Sequence, residues 1–292
     1  MQASVAQDQY GQRLDVFVAA RMPQLSRAFI QKLCEEGRVK VNGQAEKPGR
    51  RLRRDENVEV EYGPNEFKVE DIDLPVLHED RNCIVINKPP GVLTHALGKH
   101  GTEPSVASFL RKKTDTSFPL LEDSLLERKG IVHRLDRATS GVIIGAKNQE
   151  TLSLLQKQFS LRKVKKIYIA VVEGRLDPPE AVIDMPVERN PKAPSTFRVA
   201  PNGKPSRTHY KVLQAGEKYS LVELKPETGR THQLRVHLAK TGHPIAGDPL
   251  YGGGKFGDRL FLHALSLEIT LPGGERKIFT APLPADFKEL AS

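Results

Sequence analysis

The chain has 292 residues, 38% of them hydrophobic, with a formal net charge of +9 and a pI near 9.5. That length suits one large domain plus one small one, and the composition excludes a disordered chain. No apolar run approaches the roughly 20 residues of a membrane span, the polar segment Met1 to Tyr10 predicts no secretory signal, and Cys34 and Cys83, the only cysteines, form no CxxC pair that would indicate a disulfide framework or thiolate zinc site. A cytoplasmic setting is expected. The basic excess fits a polyanionic partner such as nucleic acid, and equally a basic but merely solvated surface.

Residues 12–62 read as a compact unit of helix, helix, strand, turn and strand. Leu14, Phe17 and Val18 recur at helical spacing. Ser26 is a good N-cap for a second helix whose face carries Phe29, Ile30, Leu33 and Cys34, and Gly37 is its stop. Val39 and Val41 alternate with charges ahead of an Asn42-Gly43 turn, and Val58, Val60 and Tyr62 predict a later strand. Basic residues cluster twice, as Arg27, Lys32, Arg38 and Lys40, and again as Lys47, Arg50, Arg51, Arg53 and Arg54. Two clusters on one small unit point to phosphate contacts rather than a solvated face. The segments Arg13-Leu14-Asp15, Leu25-Ser26-Arg27, Gly37 to Gly43 and Asp55 to Val60 resemble the RNA-binding domain named after ribosomal protein S4. The resemblance makes Arg27, Lys32, Arg38 and Lys40 candidate RNA contacts.

Residues 63–71 read as a linker, and residues 72–292 as a second domain. Strand-like runs lie at 83–87, 141–146, 166–172, 207–213, 219–224 and 265–271; helical stretches lie at about 104–112, 150–161, 230–240 and 285–290. Strands outnumber helices and do not alternate with them, which predicts an α+β fold with a mainly antiparallel sheet.

The densest polar segment, Gly130 to Lys147, sets His133, Arg134, Asp136, Arg137, Thr139 and Ser140 between two apolar runs. Arginine neighbours favour an ionised Asp136. An ionised carboxylate there serves as nucleophile or base, or as one half of a structural ion pair in a turn. His133-Arg134-Leu135-Asp136 followed by Thr139-Ser140-Gly141 resembles the signature of the RluA/RluD-type RNA pseudouridine synthases. Further segments are similar to that family in the same order: Asn87 to Gly91, Lys166 to Ala170, Gly203 to Tyr210, Glu227 to His237, Gly247 to Gly252 and Leu262 to Ala264. The resemblance spans about residues 12–290.

It implies a catalytic Asp136 acting on a flipped-out uridine, at the sugar or at the ring, with Arg230 paired to its carboxylate and Tyr168 packed on the uracil face. It further implies substrate contacts by Arg134, stacking where the base has left, by Leu234, shaping the uracil pocket, and by His133. The family needs no cofactor, and the sequence has neither a GxxxxGK[ST] loop nor a dinucleotide fingerprint. His232 and His237, five residues apart, would lie about 140° apart on a helix, and His95 and His100 share that spacing in a loop, so no metal site is expected. Structured RNA is the expected partner of a monomer without membrane contact. Large-subunit ribosomal RNA is the first choice of substrate and transfer RNA the second. A non-catalytic ribosome-assembly factor and a metal-dependent RNA hydrolase are the competing readings.

Overall fold

The computed structural model describes the chain apart from residues 1, 7–8, 23–24, 26, 63–71, 96–102, 115–129, 255, 257–258 and 292. The expected linker, the N-cap Ser26 and His100 lie outside the described residues. Two compact units result, one of Met1–Asp71, His95–Pro104 and Leu120–Glu127, the other of Ile72–Thr94, Ser105–Pro119 and Arg128–Ser292.

The first unit contains β1 (Gln2–Ser4), α1 (Leu14–Arg21), α2 (Arg27–Glu35), β2 (Val39–Val41), β3 (Gln44–Ala45) and β4 (Asn57–Val60). Its sheet is antiparallel in the order β1-β4-β2-β3. Asn42 and Gly43 both have positive φ, 50° and 79°, as a two-residue hairpin turn requires between twisted strands. Leu14, Phe17, Val18, Ile30 and Leu33 pack on the valines of β2 and β4. Asp15 is fully buried and ties the helices together, accepting from Arg13 at 3.0 Å, Arg27 at 2.9 Å and Gln31 at 2.8 Å. Burial alone would raise its pKa; these donors reverse that and hold it well below the usual carboxylate range.

The second unit runs β5 (Val76–Glu79), β6 (Cys83–Lys88), α3 (Val106–Lys113), β7 (Ser140–Ala146), α4 (Gln149–Ser160), β8 (Lys165–Glu173), β9 (Glu180–Asp184), β10 (Val187–Arg189), β11 (Phe197–Val199), β12 (Arg207–Gln214), β13 (Tyr219–Pro226), α5 (Gln233–Lys240), β14 (Leu262–Thr270), β15 (Arg276–Thr280) and α6 (Ala285–Leu290). Its large sheet has the order β5-β6-β7-β14-β8-β13-β12-β9, with β15 on β14. Every pairing is antiparallel except β7 with β14. This is the α+β, mainly antiparallel architecture that the strand pattern implies. Where β7 and β14 run parallel, Gly141 sits opposite Ala264 with φ +112°, and a Cβ there would stand 2.2 Å from the Ala264 carbonyl oxygen. The glycine of the Thr-Ser-Gly segment is thus required by the close approach of two strands.

Candidate active site

Asp136 sits in the turn that leads into β7, and buried groups fix that turn on both sides. Thr94 Oγ1 donates to the Leu135 carbonyl at 2.7 Å and accepts from the Leu135 N–H at 3.1 Å. On the other side Lys88, with no exposed surface, donates to the carbonyls of Pro89 and Val92 at 2.9 Å and of Arg137 at 3.1 Å. Burial pulls the Lys88 pKa down to about 7, and the Asp136 charge opposes the shift. Three carbonyls match the three N–H bonds of an ammonium, whereas the free amine would set its lone pair against one of them, so the geometry favours the charged form. The lysine of the Asn87-Lys88-Pro89-Pro90-Gly91 segment is therefore a clamp on the backbone of the turn that carries Asp136.

The cation beside Asp136 is not the one expected. Arg235 Nη1 lies 3.7 Å from Asp136 Oδ2, while Arg230 turns its Nε to the Pro205 carbonyl at 3.4 Å. The reason is local. The helix predicted from residue 230 begins only at Gln233, with His232 in a left-handed conformation at φ 56°. The Gln233 amide oxygen accepts from Thr228 Oγ1 at 2.7 Å and from the Arg230 N–H at 3.0 Å, which locks residues 228–232 as a turn outside the helix. Arg235, inside α5 and buried, forms a two-pronged pair with the fully buried Asp248, both contacts at 2.7 Å. Burial alone would lower the Arg235 pKa; Asp248 and then Asp136 outweigh it, so the guanidinium is fixed in its charged form.

His232 approaches the same carboxylate oxygen, with Nε2 3.8 Å from Asp136 Oδ2. Its Nδ1 is 2.8 Å from the Tyr251 hydroxyl, which also accepts the Phe197 N–H at 2.8 Å. With the hydroxyl that accepts from Phe197 donating its proton to Nδ1, the imidazole proton sits on Nε2, facing Asp136. Burial first and then Arg235 push the His232 pKa down against the pull of Asp136, which keeps the ring neutral.

A narrow cavity of about 100 Å³ opens in front of these groups, and its lining includes Arg134, Asp136, Lys166, Tyr168, Arg230, His232, Leu234, Arg235 and Leu262. Burial and then the Asp136 charge raise the Tyr168 pKa above the ordinary phenol range, so its hydroxyl stays protonated. Leu234 serves both the cavity and the core packed between α5 and the sheet. Arg134 is exposed at the rim. His133 does not reach the cavity. Its ring stacks on Phe159 at 4.6 Å, and its Nε2 accepts the Ile144 N–H at 3.2 Å. Burial, with Lys166 nearby, lowers its pKa to about 3. The expected substrate contact is instead a neutral pin between α4 and β7.

The profile of the family described as RNA pseudouridylate synthase matches residues 82–240, and that of the S4 domain matches residues 12–58. This chain belongs to the RNA pseudouridylate synthase family. The synthase is 40% identical to an uncharacterized RNA pseudouridine synthase of Chloroflexus aurantiacus, over 96% of this chain and 89% of that protein. It is 37% identical to ribosomal large subunit pseudouridine synthase D of Nitrosomonas europaea, over 96% and 83% of the two chains. Among solved structures it is similar to human RNA pseudouridylate synthase domain containing 4, with a TM-score of 0.57 at 29% identity over 73% of this chain and 90% of that one.

In the S4-like unit of the synthase the four expected RNA contacts lie at or near the surface, each beside a carboxylate. Arg27 is 2.9 Å from Asp15, Lys32 3.6 Å and Arg38 3.4 Å from Glu36, and Lys40 2.9 Å from Glu61. In the other unit His232 and His237 are occupied, His232 as above and His237 by Thr208 Oγ1 at 3.0 Å and the Met185 carbonyl at 2.9 Å. Among the described residues one group, His78, Asp80 and Cys83, has the spacing to hold a metal ion. Burial pushes its thiol up to about 12, and both oxygens of Asp80 are already bonded within the β5–β6 turn. No described helix is long and apolar enough to cross a membrane.

Proposed function

We propose that the synthase converts uridines of large-subunit ribosomal RNA to pseudouridine, with Asp136 acting on a base flipped out of its stack. The observation that carries this reading is a carboxylate backed by Arg235 and His232 in a pocket that Tyr168 and Leu234 help to wall. In the reaction the N1–C1′ bond breaks, the uracil turns, C5 bonds to C1′, the C5 proton is released and N1 takes up a proton. No atom or electron is gained or lost overall, so the chemistry calls for no redox partner or nucleotide triphosphate. Attack at the sugar and attack at the ring both need a charged, oriented carboxylate, and Arg235 and His232 are suited to supply that. Tyr168, a protonated phenol, offers a face on which uracil can stack. Arg134 at the rim suits stacking on a base or filling its vacated place.

The relatives named for the ribosomal large subunit favour ribosomal over transfer RNA. The pairs of Lys32, Arg38 and Lys40 in the S4-like unit, which lie at the surface, exchange a carboxylate for a phosphate at little cost, since surface ion pairs contribute about 0–1 kcal/mol. The test maps pseudouridines by carbodiimide-stop sequencing in ribosomal and transfer RNA. Cells lacking the gene are compared with cells carrying the wild type or Asp136→Asn. A large-subunit site present only with the wild type is expected. A site in transfer RNA alone would move the substrate, and no difference anywhere would favour a binding-only protein.

A further inference from the structure

A second cavity, of about 420 Å³, adjoins the Asp136 pocket, and Lys166, Thr228, Gly229 and Arg230 line both. Its charged lining is Arg162, Lys166, Arg230 and Glu227. Glu227 is already engaged by His209 at 2.6 Å and Arg207 at 3.6 Å. Among the described residues none of the three cations has a carboxylate within 4.0 Å, and the one side-chain bond among them is that of Arg230 to the Pro205 carbonyl at 3.4 Å.

The neighbouring surface behaves differently. A larger groove, which shares Arg162, Lys166 and Glu227 with this cavity, also carries Lys165, Lys211 and Lys225, and each of these three is paired, with Glu268 at 3.4 Å, Glu180 at 4.0 Å and Glu223 at 2.6 Å. The unpaired cations Arg162, Lys166 and Arg230 are thus gathered on the lining of a cavity beside the Asp136 pocket. Like charges held together repel, and the Lys166 ammonium is already disfavoured by burial. An arrangement of this kind is relieved by an anion.

Two local features keep the cations available. The Lys166 Nζ lies 3.8 Å from the place where a Cβ on Gly229 would stand, so no side chain at that position covers it. Arg162 follows the C-cap of α4 with φ 56°, a position where glycine or asparagine is the low-cost choice. An arginine stands there against backbone preference, and it lines the cavity.

We infer that this cavity is a phosphate subsite, in which Arg162, Lys166 and Arg230 hold a backbone phosphodiester adjacent to the flipped uridine. The inference rests on the RNA-modifying reading above and deepens it. When a nucleotide swings out of its stack, its flanking phosphates move with it to the pocket mouth. An anchor there fixes the register of the strand while the base enters. The subsite also gives Arg230 a task, since it does not pair with Asp136.

The test uses the full chain carrying Asp136→Asn, so that binding is read without turnover, and an unmodified large-subunit ribosomal RNA transcript titrated at several salt concentrations. Arg162→Gln and Lys166→Gln should each flatten the plot of log K against log salt by up to roughly 0.7–0.9, the change expected when one phosphate is no longer neutralised. Lys165→Gln and Lys225→Gln, which remove paired lysines of the neighbouring groove, should flatten it far less. Equal slopes in all four variants would overturn the subsite. A second measurement needs no substitution among these cations. In a synthetic hairpin carrying a mapped uridine, one neutral methylphosphonate beside that uridine should weaken binding about fivefold, and should add less than that in the Arg162→Gln protein. Additive losses at every position would overturn it. Cation-dependent binding without turnover by the wild type would leave the subsite standing and remove the reaction. Turnover with unchanged slopes would do the reverse.

Discussion

Arg235→Lys keeps a positive charge but removes the planar fork, and the consequence follows from distances. The guanidinium reaches Asp248 through two atoms at 2.7 Å and Asp136 through a third at 3.7 Å. One ammonium cannot occupy all three places. If it follows the buried Asp248, Asp136 loses a cation whose attraction at that distance is about 4 kcal/mol for an effective dielectric constant near 20. If a third to nearly all of that attraction is realised in the transition state, kcat falls between about 10-fold and 1,000-fold. Stability also drops, since one charge-assisted hydrogen bond is worth about 1.5–3 kcal/mol, or roughly 3–12 °C in the melting temperature of a unit this size. The assay is single-turnover release of tritium from RNA labelled at uridine C5, at saturating enzyme and well below the melting temperature. Arg230→Ala, by contrast, should act mainly on KM. Wild-type kcat in Arg235→Lys, or a greater loss of kcat in Arg230→Ala, would refute the pairing.

Three further outcomes are expected. Lys88→Met orphans three carbonyls at about 1–3 kcal/mol each and should lower the melting temperature by more than about 6 °C; a wild-type melting curve would show that the clamp contributes nothing. His133 and His263 have pKa values lowered by burial to about 3 and about 4, so the unfolded chain takes up their protons first as pH falls. Their contribution is complete above about pH 6.5 and is lost toward pH 4, at up to about 1.4 kcal/mol per pH unit for each, and urea unfolding that is flat over that range would contradict it. Removing residues 1–62 should weaken RNA binding and flatten its salt dependence; an unchanged slope would mean that the basic clusters of that unit do not meet phosphate.

Much of the site is legible in the sequence because its letters are contiguous. The turn carrying Asp136, the strand carrying Tyr168 and the helix carrying Leu234 each lie in one short segment. The pairings between segments are not legible. Arg230 and Arg235 stand in the same stretch, and choosing between them depends on where α5 begins, which is set by Gln233 bonding back to Thr228 and Arg230. Asp248, the partner that holds Arg235, is 13 residues away along the chain. His133 resembles a pocket residue by its place in the polar segment, yet its partners, Phe159 and Ile144, come from α4 and β7. Lys88 stands in a segment that the sequence marks by resemblance alone, and only the fold surrounds it with carbonyls. The long strands show themselves as apolar runs. β9 and β15 do not, because each buries a single residue, Ile183 and Phe279, and so gives little alternation to read.

The central claim is that Asp136 performs the isomerisation. Its most direct test compares purified wild type and Asp136→Asn on large-subunit ribosomal RNA from cells lacking the gene, following tritium release from uridine C5 alongside RNA affinity. Asparagine keeps the size of the side chain and removes its charge. The account predicts that release is abolished while RNA affinity stays within about threefold, since one half-buried carboxylate contributes little to phosphate contacts. Substantial release by Asp136→Asn would contradict it.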